Sequence, residues 1–232
     1  MRADSPFGQS DGPRGADSVG EQIERVRGEV VAMLDRGELV PGERLLEARL
    51  ARRLNVGRNI AREALRALEQ VGIVRIVPNR GAKLCKLSME DALELYDLRA
   101  GLARTAARLA AKRINRAQLD EMQDLQRQLQ LAVNHDDALL YNTINCRFHE
   151  IVFQGARNKR LETYNSMVED ELKLFLSRSF YSASAFASSW EEHQRVLDGL
   201  LEGDEKKASD AFEGHIISGK ARLINGEVSL RF

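Results

Sequence analysis

The chain is poor in the residues that staple small folds together. Its two cysteines, Cys85 and Cys146, stand far apart in 232 residues, too few for a disulfide framework, and both are expected to be reduced thiols. There is no run of 18 apolar residues, which excludes a membrane-spanning helix of ordinary length. The opening stretch MRADSPFGQSDGPRGADSVGEQ has no hydrophobic centre, so it is not expected to act as a secretory signal. Its Gly, Ser, Asp and Pro content reads as a flexible tail over residues 1–20. The expected location is the cytoplasm, without membrane contact. Net charge is missing too: 35 Lys and Arg face 35 Asp and Glu, which by itself argues against a polyanionic partner.

What is present changes that argument. Hydrophobic residues at 43% and charged residues at 30% are the mixture of a soluble globular chain long enough for two cores. The charge is partitioned along the sequence. Residues 21–86 carry 14 Lys and Arg against 9 Asp and Glu, a net +5, whereas residues 87–232 carry 19 against 23, a net −4. A basic front and an acidic rear indicate that only the front meets a polyanion.

The front third has its own pattern. Ile23, Val26, Val30 and Leu34 recur at helical spacing over residues 21–36, and Gly37 then Pro41-Gly42 supply a stop and a turn. LLEARLARRLNVG predicts a second helix with Leu46, Leu50 and Leu54 inward, and RNIAREALRALEQVG a third with Ile60, Ala64, Leu65 and Leu68 inward. Residues 73–77 and 83–87, joined by a Pro-Asn-Arg-Gly turn, predict a β-hairpin. Three short helices and a hairpin are the plan of a winged helix-turn-helix domain, placed at residues 21–87. On the third helix Arg58 and Arg62 share one face. Arg58 and Asn59 open that helix, where free N–H groups attract a phosphate. An Arg on a guanine edge or an Asn on adenine is worth ~1–3 kcal/mol of discrimination. Arg80 at the hairpin tip suits a minor groove or a phosphate. The plain alternative makes these arginines a solvated face, with Arg62 and Arg66 paired to acids such as Glu63 and Glu69.

The stretch LVPGERLLEARLARRLNVGRNIAREALRALEQVGIVRIVPNRGAKL resembles the DNA-binding domain of the GntR family of bacterial transcription regulators. The resemblance implies DNA contacts from Arg44, Arg58, Asn59 and Arg62, with the wing at Asn79, Arg80 and Gly81 along the minor groove. The chain departs from the family pattern at Gly57 for Ser, Asn59 for Thr and Ile60 for Pro. Losing the Ser removes a side-chain helix cap.

From Ser88 onward the periodicity is helical throughout. Ser88 with Asp91 forms a capping box, and about six helices over residues 88–232 predict an antiparallel all-α bundle, so the whole chain is expected to be mainly α. His135 reads as a surface or capping residue. A single His149 on the apolar stretch INCRFHEIV would ordinarily be a core histidine with a local partner. His193 and His215 make three, and three neutral imidazoles with an oxygen donor suit Zn²⁺, Ni²⁺ or Mn²⁺. They come from three separate helices, so spacing leaves their convergence open.

The segments DLRAGLARTAARLAA, FHEIVFQGARNKRL and EEHQRVLDGLLEGDEKKASDAFEGHI resemble the FCD ligand-binding domain of the FadR-type branch of that family. The resemblance implies a metal held by His149, His193, His215 and the residue at 145, and a small carboxylate effector that meets Arg99. Position 145 holds Asn where the family has Asp, so the amide brings no charge and the site would favour an anionic effector. Ala103 stands where the family commonly has Glu. A metal-free pocket for an acyl-CoA-like effector is the competing outcome. The plainer alternative makes Arg99 a partner of Asp97 or Glu94, and His193 a cap beside Glu192. The expected protein is a homodimeric repressor, one winged domain per half-site of an inverted-repeat operator on double-stranded DNA. A three-histidine metallohydrolase is the rival from another class. Its candidate bases Glu150 and Glu192 adjoin histidines in sequence and so point roughly 100° away on a helix. An architectural DNA-binder without an effector would leave the pocket residues unused.

Overall fold

A computed structural model describes residues 17–78, 80–176, 179–181, 183–226 and 228–230. Residues 1–16, most of the expected tail, fall outside it, as does Asn79. The first helix, α1 (Val19–Asp35), begins two residues earlier than its periodicity suggested because Ser18 caps it. Glu21 N donates to Ser18 Oγ at 3.2 Å and Ser18 N to Glu21 Oε2 at 2.7 Å. After the turn at Pro41-Gly42 come β1 (Arg44–Leu45), α2 (Glu47–Leu54), α3 (Arg58–Gln70), β2 (Val74–Val77) and β3 (Gly81–Leu84).

The hairpin is tighter than expected and gains a third strand, in the order β1-β3-β2, all antiparallel. Gly81 makes that closure work. Its φ is +79°, and a Cβ there would lie 2.8 Å from the Leu45 carbonyl oxygen of β1. Leu46 is a correction: expected inward, it is the extended residue ahead of α2 and 51% exposed, while Leu50 is buried. Glu69 on α3 accepts from the Ile76 amide of β2 at 2.6 Å and ties the wing to the third helix.

Six helices follow among the described residues: α4 (Met89–Arg113), α5 (Arg116–Asn134), α6 (Ala138–Gly155), α7 (Lys159–Leu176), α8 (Ala183–Glu202) and α9 (Glu205–Ile224). The Ser88–Asp91 capping box forms as expected, and Asn115 with Gln118 makes a second at α5. Buried alanines at 92, 100, 103, 106, 107 and 110 give α4 a thin inner face, so α6, α7, α8 and α9 all pack on it. At the α8–α9 crossing a Cβ on Gly199 would stand 2.6 Å from the Ala208 nitrogen, so only glycine permits that approach. Gln126 and Trp190 exchange side-chain donors for each other's carbonyls at 2.9 and 3.1 Å and pin α5 to α8. One feature lies outside the all-helical expectation: β4 (Ser179–Tyr181) pairs antiparallel with β5 (Val228–Leu230), nearly fifty residues later. No described helix is long and apolar enough to cross a membrane.

Two hydrophobic cores result, one in the winged unit and one in the bundle. They are joined by α7. Leu174, on that bundle helix, is 2% exposed and packs within the core of the winged unit among residues such as Val30, Leu68 and Leu84. Leu174→Ala is therefore expected to lower the unfolding free energy by ~2–5 kcal/mol in a denaturant titration. A loss below ~1 kcal/mol would show that the two units do not share this core.

Candidate functional site

The expected DNA-reading residues gather on the exposed side of the winged unit. Arg58 is the first residue of α3 and follows Gly57, which supplies no side-chain cap, so the first-turn N–H groups of α3 stay available to an anion. Arg58, Asn59 and Arg62 are exposed, and the α3 residues Ala61, Ala64, Leu65 and Leu68 are buried on the opposite face. Arg80 is exposed in the β2–β3 turn next to Gly81. Arg66 pairs with Glu63 at 2.8 Å, as the solvated-face reading expects. Arg62 does not: its partner is Glu47 on α2, at 3.0 Å.

The sheet adds residues that periodicity did not single out. Register places Arg44 of β1 opposite Lys83 of β3, and Lys83 opposite Arg75 of β2. All three are exposed, a row of three cations across three strands. Like charges directly opposite on a sheet cost stability, and a phosphate chain laid along the row removes that cost. The signal was present as Lys and Arg at alternate wing positions, but it needed the register to become a row.

In the bundle, His149 of α6, His193 of α8 and His215 of α9 converge. His149 Nε2 lies 3.1 Å from His193 Nε2 and 2.9 Å from His215 Nε2, and all three rings are buried. The packing explains why they meet: α4's small residues draw α6, α8 and α9 together, and Phe148 and Phe212 wall the cluster, with Phe153 packed behind Phe212. Burial, then the charges of neighbouring His215 and Arg99, holds His149 well below the usual imidazole range. Burial does the same to His193, and His215 is lowered by burial in spite of Glu192. All three are neutral near pH 7, the form that binds a metal.

Their partners fix the protons. Arg99 only donates, so its contact at 3.1 Å makes His149 Nδ1 the acceptor and puts the proton on Nε2. Ionised Glu192 only accepts, so His215 carries its proton on Nδ1, 2.8 Å away, and turns its Nε2 lone pair inward. Burial would raise Glu192, yet hydrogen bonds from His215 and Arg222 outweigh it and hold the carboxyl down at about 2. Arg222 grips Glu192 with two bonds at 3.0 and 2.9 Å. Glu192 is thus a fully engaged support for His215 and not a free base, and His193, buried in the middle of α8, is not a cap. Arg99 pairs with Glu169 of α7 at 2.6 Å, and not with Asp97 or Glu94; Asp97 takes Lys220.

Nitrogens bound to one divalent cation at about 2.0–2.1 Å stand roughly 2.9–3.4 Å apart, so the 3.1 and 2.9 Å separations from His149 Nε2 suit a shared donor set, and ligand atoms of all three histidines lie within 4.8 Å of one another. His215 already has the tautomer such a set requires, and the buried Nδ1 of His193 has no hydrogen-bond partner among the described residues. His149 needs its proton moved to Nδ1, which requires Arg99 to turn wholly to Glu169. The residues fit a metal with that single rearrangement. Asn145 lines the adjoining cavity with Arg99, His149, His215, Arg222, Tyr96 and Tyr141. His193 stands behind this lining. Ala103, where an acid was common, is wholly buried in the core. His135 is exposed at the C-terminal cap of α5.

The winged helix and its basic face mark a DNA-binding protein, with a helical bundle behind it. Two family models match the chain: bacterial regulatory proteins of the gntR family over residues 22–84, and the FCD domain over residues 94–218. The chain belongs to the GntR family of bacterial transcription regulators and carries an FCD domain. The HTH-type transcriptional repressor RspR of Escherichia coli (strain K12) is 28% identical over 218 residues, 91% of this chain and 92% of that protein. The HTH-type transcriptional regulator LutR of Bacillus subtilis is 26% identical over 208 residues, 79% of this chain and 93% of that one. Among solved structures, Escherichia coli McbR/YncC matches with a TM-score of 0.77 at 20% identity, covering 88% of this chain and 97% of that chain. A GntR regulator from Rhodococcus sp. RHA1 matches at 0.69 and 21%, covering 88% and 98%. At such identities the solved structures speak for the fold alone. Families and relatives are transcription regulators, so the chain is a regulator and not a metallohydrolase.

Removing one member of a buried ion pair strands the other. Glu192→Ala is expected to cost ~3–5 kcal/mol of stability, because Arg222 and His215 Nδ1–H lose their acceptor. Adding Arg222→Met should recover part of the loss. Denaturant unfolding checks both, and a single change costing less than ~1 kcal/mol would count against the network.

Proposed function

We propose that this regulator is a cytoplasmic, homodimeric repressor that reads an inverted-repeat operator and senses a small organic carboxylate. Arg58, Asn59 and Arg62 read base edges in the major groove, and Arg44, Lys83, Arg75 and Arg80 hold the phosphate backbone, with the Asn79-Arg80-Gly81 wing tip at the minor groove. RspR's description as a repressor supports the same role here.

The observation that carries the sensing half is the cavity beside the histidines. Arg99 and Arg222 line it, Tyr141 adds a hydroxyl kept protonated because burial pushes it up to about 12, and its volume is about 60 Å³. At ~15 Å³ for each water-sized group, that is room for roughly four such groups. An acid of a few carbons suits it and an acyl-CoA does not. His149, His193 and His215, with the Asn145 amide oxygen, would hold Zn²⁺, Ni²⁺ or Mn²⁺. Bound there, the metal supplies positive charge and a coordination position for an effector oxygen. Because Asn145 brings no counter-charge, the effector's own carboxylate supplies it. Arg99 orients that carboxylate, which competes with Glu169 for the guanidinium. Glu169 and Leu174 share α7, so the competition acts on a helix packed into both units. The effector shifts DNA affinity by its preference between two arrangements of α7.

Two experiments test this. Arg58→Ala should weaken binding to duplexes selected from a random pool by at least about tenfold while the dimer stays folded, and wild-type binding should fall steeply with salt as counterions are released. Unchanged affinity, or a flat salt response, would refute the assigned face. A thermal-shift screen of small mono- and dicarboxylates, with and without added Zn²⁺, Ni²⁺ or Mn²⁺, should find one that stabilises the wild type by ~2.7 kcal/mol at about 100 times its Kd. Metal analysis should give about one equivalent per chain, lost in His193→Ala. Stabilisation by acyl-CoA and by no small acid would overturn the reading.

A further inference from the structure

Arg62 is the one member of the expected base-reading set that another element grips. Its Nε donates to Glu47 Oε1 at 3.1 Å and Oε2 at 3.2 Å, and its Nη2 to Oε2 at 3.0 Å. This is the side-on mode, which uses one edge of the guanidinium. The end-on edge, formed by Nη1 and the outer proton of Nη2, is left over, and Nη1 has no hydrogen-bond partner among the described residues. Both side chains stay accessible, at 48% and 31% exposure. Glu47 is itself anchored as the first residue of α2, where a carboxylate is favoured by the helix dipole. The hydrogen bonds of Arg62, and less strongly the charges of Arg66 and Arg58, outweigh its slight burial and keep its carboxyl below the ordinary range, so it is ionised at neutral pH.

We propose that Glu47 is a positioning residue for sequence reading: by holding the side-on edge of Arg62, it presents the end-on edge to DNA in one fixed orientation. This rests on α3 being the recognition helix. A guanine offers O6 and N7 to two parallel donors, and the end-on edge supplies them. An exposed arginine left to itself carries rotamer entropy that DNA binding must remove, and the pair with Glu47 removes much of it beforehand. The carboxylate also works against indiscriminate contact, because it repels a phosphate that approaches Arg62 out of register. A merely masking glutamate would instead occupy the end-on edge or leave none free.

The test uses the full chain and a duplex selected from a random pool by the wild type, compared with a scrambled duplex of equal length. Fluorescence anisotropy over a salt series gives both affinities for the wild type, Glu47→Gln, Arg62→Ala and the double variant. Glu47→Gln should reduce the ratio of selected to scrambled affinity by up to about 5- to 160-fold, the span of one bidentate base contact. Scrambled affinity should hold or rise. In the Arg62→Ala background the same change should alter the ratio less than about twofold. Glu47→Asp keeps the charge and shortens the reach; it should fall between wild type and Gln, and it serves if Gln perturbs folding by circular dichroism. Equal gains on both duplexes would mark Glu47 as a mask that DNA displaces, and an unchanged ratio would overturn the proposal with the recognition helix intact. A wild-type ratio in Arg62→Ala would overturn the recognition face and Glu47's role with it.

Discussion

Burying charge in a helical bundle sets the terms for everything else in this molecule. A continuous polar chain crosses the interior, from Arg222 to Glu192, His215, His149, Arg99 and Glu169. Two cations, two anions and two neutral imidazoles alternate so that the sum is zero and each link has a donor facing an acceptor. Isolated, any of these ions would cost several kcal/mol in a low-dielectric interior. In sequence they satisfy one another, and five of the six bundle helices are tied by the chain. Only α5 stands apart, joined to α8 by the Gln126–Trp190 exchange.

Under the function proposed above, the same chain sets how sensing and reading connect. Its middle is the candidate metal and effector pocket, so a ligand enters an already balanced arrangement and must displace a partner. One such partner is Glu169, on α7. The last turn of that helix carries Leu174, which lies in the other hydrophobic core. Coupling through α7 needs only that one helix has two acceptable positions, since packed cores resist intermediate ones.

In the winged unit the balance is struck differently. Most of its arginines are exposed, and acids fix the direction of some, Glu47 on Arg62 and Glu63 on Arg66, while Glu69 holds the backbone of the wing. The row Arg44, Lys83 and Arg75 has no comparable acid opposite it in the sheet. A chain of zero net charge thus carries a basic reading face because its acids are spent locally in the front third and concentrated in the rear.

Much of the fold was legible because periodicity is a local property. The amphipathic repeats of α1 and α3, the Ser88–Asp91 cap and the Gly-bearing wing turn each declare themselves within a dozen residues. Leu46 misled because the preceding turn held it extended ahead of α2, a tertiary demand that overrode its spacing. The third wing strand and the β4–β5 ribbon were not legible, since two- and three-residue strands have no period and their partners lie tens of residues away. His149, His193 and His215 were recognisable as candidates, but spacing alone left their meeting open. Glu192 was singled out in the sequence only as a neighbour of His193, and Arg222, Glu169 and Glu47 were hidden among 70 charged residues that look alike in a string. By itself the sequence determined which segments coil, which faces are apolar and where the positive charge lies. Tertiary structure alone decided which charges are paired, which proton each histidine carries and which edge of Arg62 stays free, because those depend on distances of about 3 Å between groups far apart in the chain.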